Sequence, residues 1–352
     1  MVYLPLLKLS PAEMLALENL PDRDKDALRP IFPLRHWLST KVLDRAFDRI
    51  EKAYGRRPAY LLPPLPPKAD DASPSAAELR TLLNSANGYQ DWRELFTTGR
   101  AQHFIPALQL ADASQFDRQA DVLLALGRGV LVHFTRAAFP IIGAVATRVA
   151  GLTNFGAGVT FLIDLGKEGK MLLLQQAELT GLCDRILQAC PNSTIALSAS
   201  SFPASFTSIK SQEIYERQLY EAMRTRFGPA LHFSDRGSAR AETRGGGSTD
   251  PYPRIDYPMS SEWLFYRTPT SVAYAGGYKT VASALMDASE VWDPKLRVWG
   301  TQMIEKTKLG QAGGISSPAR STAVRINLHL HRQLWFDDLS ALYDTDDDWQ
   351  DL

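Results

Sequence analysis

Eight short apolar runs alternate with helical patterns through the first two thirds of the chain, and this alternation constrains the fold more than any other feature. The runs are VYLPLLKL (2–9), LRPIFPLR (28–35), AYLLP (59–63), FIPALQL (104–110), GVLVHFT (129–135), VTFLIDLG (159–166), STIALSAS (193–200) and ALHFSD (230–235). Several are continuously apolar, as strands covered on both faces are. Parallel neighbours need crossovers of a dozen or more residues, and such crossovers are right-handed. Eight units over about 235 residues predict an α/β fold of the (β/α)8, TIM-barrel-like kind. The runner-up is an open Rossmann-like sheet, but no G-x-G-x-x-G follows the first strand.

The helical patterns carry their own punctuation. SPAEMLALENL opens with Ser10, Pro11 and Glu13, the signature of a capping box. TKVLDRAFDRIEKAYG puts Val42, Leu43, Ala46, Phe47 and Ile50 on one face and stops at Gly55. SQEIYERQLYEAMRTRFG (211–228) reads as a helix in the same way. Three stretches break the rhythm: a Pro-rich segment at 61–78, RGSARAETRGGGSTDPYPR at 236–254, and LGQAGGISSPARST at 309–322. These read as surface loops, and long loops in a domain are often lids or binding loops. Beyond the eighth run, PRIDYP, EWLFYRTP and SVAYA suggest short strands in hairpin arrangement. TVASALMDASEVW and WGTQMIEKTKLG suggest helices, and DTDDDWQDL an acidic, frayed tail. Residues 1–236 are therefore expected to form the barrel-like core. Residues 237–352 are expected to form a hairpin and helical elaboration packed on it, within one structural domain.

Composition narrows the class. Hydrophobic residues make up 45% and charged residues 22%, as in a soluble globular chain. Lys+Arg and Asp+Glu are both 39, which argues against a dedicated basic coat for nucleic acid but not against a local basic groove. The two cysteines, Cys183 and Cys190, give neither a disulfide framework nor a Cys-type zinc site and read as buried small hydrophobes. The opening residues lack a basic leader and a cleavage pattern, and no apolar run approaches the ~20 residues that span a bilayer. A cytoplasmic protein without membrane association is the expectation.

Functional groups of such a barrel gather at the carboxyl ends of its strands. Here those ends supply Lys8, Arg35, His133, Arg136, Asp164, Ser201, Asp235 and Arg236, and the hairpin adds Arg254, Asp256 and Tyr257. A ring of Lys, Arg, Asp and Ser is costly to bury unless it lines a solvated pocket or pairs internally. Arg and Lys predominate, which suits phosphate or carboxylate. Asp164 and Asp235 are candidate acid/base groups, with Mg²⁺ the hard metal they would suit. Isolated carboxylates are thin support for a metal, and no metal site is assigned. SASSFP is not the G-x-S-x-G elbow, and RGGGST lacks the lysine of a Walker A loop.

AVRINLHLHRQLW (323–335) holds two of the six histidines. As a strand it would point His329 and His331 the same way, as an H-x-H metal pair. As a helix starting near Asn327 it would set them roughly 200° apart. Asn327 as an N-cap and the stripe of Leu334, Leu339 and Leu342 favour the helix. One histidine and Arg325 or Arg332 then lean into the mouth, and His329 joins Asp164 and Asp235 as a catalytic candidate.

The order of YLPLLKLSPAEMLALENL and LRPIFPL, FLIDLG, SASSFP, LHFSDRGSA before PRIDYP, EWLFYR, and WGTQMIEKT before INLHLHRQ resembles the phage T4 beta protein family, over nearly the whole chain. The closing motif has His329-Leu330-His331 in place of a tandem His-His, and the opening has Ala12-Glu13 in place of Gly-Glu. The resemblance implies a phage or prophage context, with phage defence one reading, and leaves the chemistry open. Two functions compete. One is an enzyme acting on a phosphate-bearing substrate, a nucleotide or nucleic acid. The other is a non-catalytic protein that recognises a phage or host partner. A third, purely structural role predicts an internally paired mouth.

Overall fold

The apolar runs become buried parallel strands because each has a hydrophobic partner on both faces. The computed structural model describes residues 2–205, 209–239, 252–268 and 274–345. Strands β1 (Ile31–Pro33), β2 (Tyr60–Leu62), β3 (Ile105–Leu108), β4 (Val130–Thr135), β5 (Val159–Lys167), β6 (Thr194–Ser200) and β8 (Leu231–Asp235) form one curled parallel sheet, in that order. Alternate residues of β1 to β6, among them Ile31, Leu62, Ala107, Leu131, Leu162 and Ala196, pack with Leu4 of the opening segment in one apolar cluster on the inner face. The intervening residues, such as Phe32, Leu61, Val132, Phe161, Ile163 and Phe233, pack outward against the helices. Period-two alternation therefore fills two layers from one sheet.

The regular ladder has seven strands, which corrects the expected closed eight-stranded barrel. The first run does not form a regular strand. It bridges singly, Tyr3 to Leu28 and Phe233 and Leu6 to Ile31, so it lies between edge strands β1 and β8. The N–H groups of Leu4 and Leu6 donate to Phe233 O and Asp235 O at 2.9 and 2.8 Å. On the other side Arg29 N and Ile31 N donate to Tyr3 O and Pro5 O at 2.9 and 2.8 Å. Pro5 has no N–H to return to β1, which interrupts that side of the ladder.

A second, antiparallel sheet has the order β7 (Ser211–Glu213), β10 (Glu262–Arg267), β9 (Arg254–Pro258). Its hairpin of β9 and β10 is the expected one. Strand β7 corrects the expected helix over 211–228, which begins only at Tyr215: residues 211–213 are drawn into pairing with β10. Tyr274 opens a helix, Tyr274–Met286, where SVAYA suggested a strand; residues 271–273 lie outside the described residues. The capping box also departs from expectation. Ser10 donates to the Glu13 carboxylate and does not accept from the backbone, while Glu13 takes the N–H of Lys8. The loops at 61–78 and 309–322 are shorter than read, because Ser73 and Ser317 cap helices that start at Pro74 and Pro318. Residues 240–251 of the Arg-rich loop and 346–352 of the acidic tail lie outside the described residues.

Helix Pro318–Leu334 joins the two sheets. Ala323, Ile326, Leu330 and Leu334 enter the main core, while Val324 and Leu328 enter a second core with Ile255, Tyr257 and Ile304. It is a helix from Ser317, earlier than Asn327, so Asn327 lies inside it. The Asn327 amide donates to Ala16 O and Asn19 O, and its oxygen accepts from Gly300 N at 3.0 Å. Among the described residues, no helix is long and apolar enough to cross a membrane.

Candidate functional site

At the carboxyl end of the curled sheet, the inner face changes from apolar to polar. On β4 the pleat places His133 two positions beyond Leu131, and on β5 it places Asp164 two beyond Leu162. The register pairs His133 with Leu162 and Asp164 with Ser198, so the polar groups emerge side by side. His133 Nε2 lies 3.2 Å from Asp164 Oδ2. Arg236, immediately after β8, donates Nη2 to both Asp164 oxygens at 2.7 Å. Gly166 N donates to Asp164 Oδ1 at 3.0 Å.

Burial by itself would push the Asp164 carboxyl up; the His133 hydrogen bond, the Arg236 charge and the Gly166 N–H outweigh it and hold the group at about 2. It is an ionised acceptor at neutral pH. Lys8 stands nearby, its ammonium pushed below its ordinary value by partial burial and by the Arg236 and Arg35 charges, against the pull of Glu13. The buried Ser198 Oγ and Arg236 Nε have no hydrogen-bond partner among the described residues. The arrangement therefore combines an oriented imidazole, gathered cations and a buried hydroxyl. Among the described residues, no three His, Cys, Asp or Glu side chains group to hold a metal ion, and the Mg²⁺ idea gains no donor set here.

The structure thus brings together His133, Asp164 and Arg236, with Lys8 within electrostatic reach of Arg236 and Arg35, and separates the other candidates. Asp235 points to the outer face of the sheet, where its carboxylate meets Tyr3 Oη and His329 Nε2, each at 2.6 Å, and Gly237 N at 2.8 Å. Asp235 and His329 are both wholly buried, and His329 stacks on Trp263. The mouth is not where this pair sits. His331 faces elsewhere, with Nδ1 2.6 Å from Asp24 and Nε2 2.9 Å from Leu342 O, so the two histidines share no site. Ser201 donates to the buried Glu216 carboxylate. Arg136 pairs with Glu168 and reaches Gln175. Arg325 meets Asp256 at 2.6 Å, and Arg254 is on the other Asp256 oxygen at 2.6 Å. Tyr257 Oη accepts from Arg332. Tyr3, Asp24 and Arg217 are not marked in the sequence because nothing local signals a polar residue whose partner lies more than a hundred positions away.

The Beta protein family matches residues 3–335. The chain belongs to this family. It is also 26% identical to Protein beta of Enterobacteria phage P4, over 99% of this chain and 97% of that protein. No solved structure matches it. The family is phage-associated and fits the order of motifs along the chain, from YLPLLKL to the helix that carries His329.

Proposed function

We propose that the carboxyl end of the curled sheet is an anion site for a phosphate-bearing ligand, a nucleotide or nucleic acid. The carrying observation is Asp164, which holds His133 on one side and Arg236 on the other. One carboxylate offsets one of the cations, and Lys8, which feels the Arg236 and Arg35 charges, adds positive charge near it. Phosphate recognition needs several cationic donors at a partly desolvated site. His133, oriented through Nε2, is the group able to exchange a proton with a bound ligand, which makes phosphoryl or phosphodiester chemistry the enzymatic reading. The second reading, recognition of a phage or host component without turnover, is favoured by the full engagement of Asp164: with its oxygens shared between Arg236, His133 and Gly166 it is no free base.

Titration calorimetry with a mononucleotide and with a short single-stranded oligonucleotide tests the site. Arg236→Gln and Lys8→Ala are expected to weaken binding by about tenfold or more, ~1.4 kcal/mol. His133→Gln is expected to retain binding and to abolish any hydrolysis. Binding of neither probe by wild type, or equal binding by all variants, sinks the site. Binding without turnover under any metal condition selects recognition over catalysis.

A further inference from the structure

The opposite, amino end of the curled sheet opens on a cavity of about 340 Å³. Its lining includes two arginines, Arg29 and Arg128, with Thr160, Thr194, Asn192 and His232, and no Asp or Glu among the described residues. Such volume lies within the range of small-ligand sites, ~300–1,000 Å³. Cations facing a cavity without a carboxylate contrast with Arg136, Arg236, Arg254 and Arg325, each of which is paired with an acid.

Local structure fixes these groups. Arg128 stands between Gly127 and Gly129, both at positive φ, +69° and +81°. A Cβ at Gly129 would lie 2.4 Å from Gly158 O, so the loops before β4 and β5 meet only because position 129 is glycine. Arg128 gives one hydrogen bond, Nη2 to Phe96 O at 3.1 Å, and its Nε is buried with no partner among the described residues. Tyr60 Oη, Thr160 Oγ1 and Thr194 Oγ1 form a chain of contacts at 2.8 and 3.0 Å across the floor. Burial, with nearby positive charge that includes Arg29, pushes the His232 imidazole down to about 4, so it faces the cavity neutral.

We infer that this cavity binds a small phosphorylated molecule, with Arg29 and Arg128 on its phosphate and the Thr160, Thr194 and Asn192 groups on the rest. It is a second anion site, separated from Asp164 by the apolar inner cluster of Leu4, Leu131, Leu162 and Ala196. Two charged guanidinium groups and neutral hydroxyls suit a dianion better than a single carboxylate.

The test is calorimetry on the full chain with inorganic phosphate, glycerol phosphate and malonate. Saturable uptake of phosphate or glycerol phosphate is expected to persist in a chain carrying Arg236→Gln, which weakens the site at Asp164, and to be weakened by a further factor of about ten or more when Arg128→Gln or Arg29→Gln is added. Reading the cavity in that background separates it from the site at Asp164. In wild type, glycerol phosphate is also expected to protect Arg128 from phenylglyoxal, read by mass spectrometry, a result that needs no variant to fold. Malonate binding without phosphate binding, affinity indifferent to both arginines, or Arg128 modified equally with and without ligand would each overturn the inference.

Discussion

Tyr3 donates its hydroxyl to Asp235 Oδ1 at 2.6 Å, tying together residues 232 positions apart. The contact pins the opening segment against β8, where its backbone also donates to Phe233 and Asp235. His329 and Gly237 complete the shell around the same buried carboxylate, which they and Tyr3 hold below its ordinary range although burial pulls the other way. Tyr3→Phe removes one donor and is expected to cost about 1–3 kcal/mol in urea unfolding. Asp235→Ala strands Tyr3 and His329 together and is expected to cost about 3–5 kcal/mol. Losses under ~0.5 kcal/mol in both would show that the opening segment is held by apolar packing alone.

The Arg325–Asp256 pair tests whether the second sheet is fastened by charge. Both side chains are almost fully buried, and Arg325 also lies 4.0 Å over the Phe202 ring. Arg325→Met leaves Asp256 with Arg254 alone and is expected to lose about 3 kcal/mol. With Asp256→Leu added, the loss is expected to be smaller than the sum of the single losses by at least ~1 kcal/mol. Strict additivity in the double-mutant cycle would refute direct coupling.

Glu216 gives the chain a pH-dependent stability. Complete burial raises its carboxyl to about 7, against the hydrogen bonds from Ser201. The folded state therefore holds a proton that the unfolded chain releases near its ordinary value of 4.5. The stabilisation is fully present below 4.5 and is lost as pH rises through about 7. Each unit is worth ~1.4 kcal/mol, so the effect is on the order of 3 kcal/mol. Glu216→Gln, which keeps a neutral side chain, is expected to flatten the stability curve between these pH values. A variant curve parallel to wild type would assign the slope to other groups.

Two glycines offer a paired comparison. Gly129→Ala forces a Cβ toward Gly158 O at a φ of +81° and is expected to lose more than about 1 kcal/mol. Gly143, in helix Ile142–Leu152 with nothing within 4 Å of its added Cβ, is expected to gain ~0.5–1 kcal/mol on change to alanine. Thermal melts that show equal effects would mean that the close approach of the two loops is relaxed in solution.

Much of the frame is legible from residues alone. Seven of the eight apolar runs contain the seven parallel strands, and the helices at 11–18 and 299–309 lie where their patterns predict them, whereas the helix over 318–334 begins well before the expected start near Asn327. Pro5 was the visible warning in the first run. Residues 211–213 misled because helical periodicity continues through them, yet pairing with β10 captured their backbone. The candidate site was half legible: strand ends named His133, Asp164, Arg236 and Lys8, but gave equal rank to Asp235, which pleats outward.

Period-two and period-3.6 patterns are local, so the sequence by itself determined strands, helices and the α/β class. A polar residue's partner is not local. Whether Asp164 joins His133 and Arg236, or Asp235 meets His329 across 94 positions, depends on which face of the sheet the pleat turns each toward and which helix covers it. Burial makes an unmatched charge costly, so those pairings are strict, but only the assembled layers decide who is opposite whom.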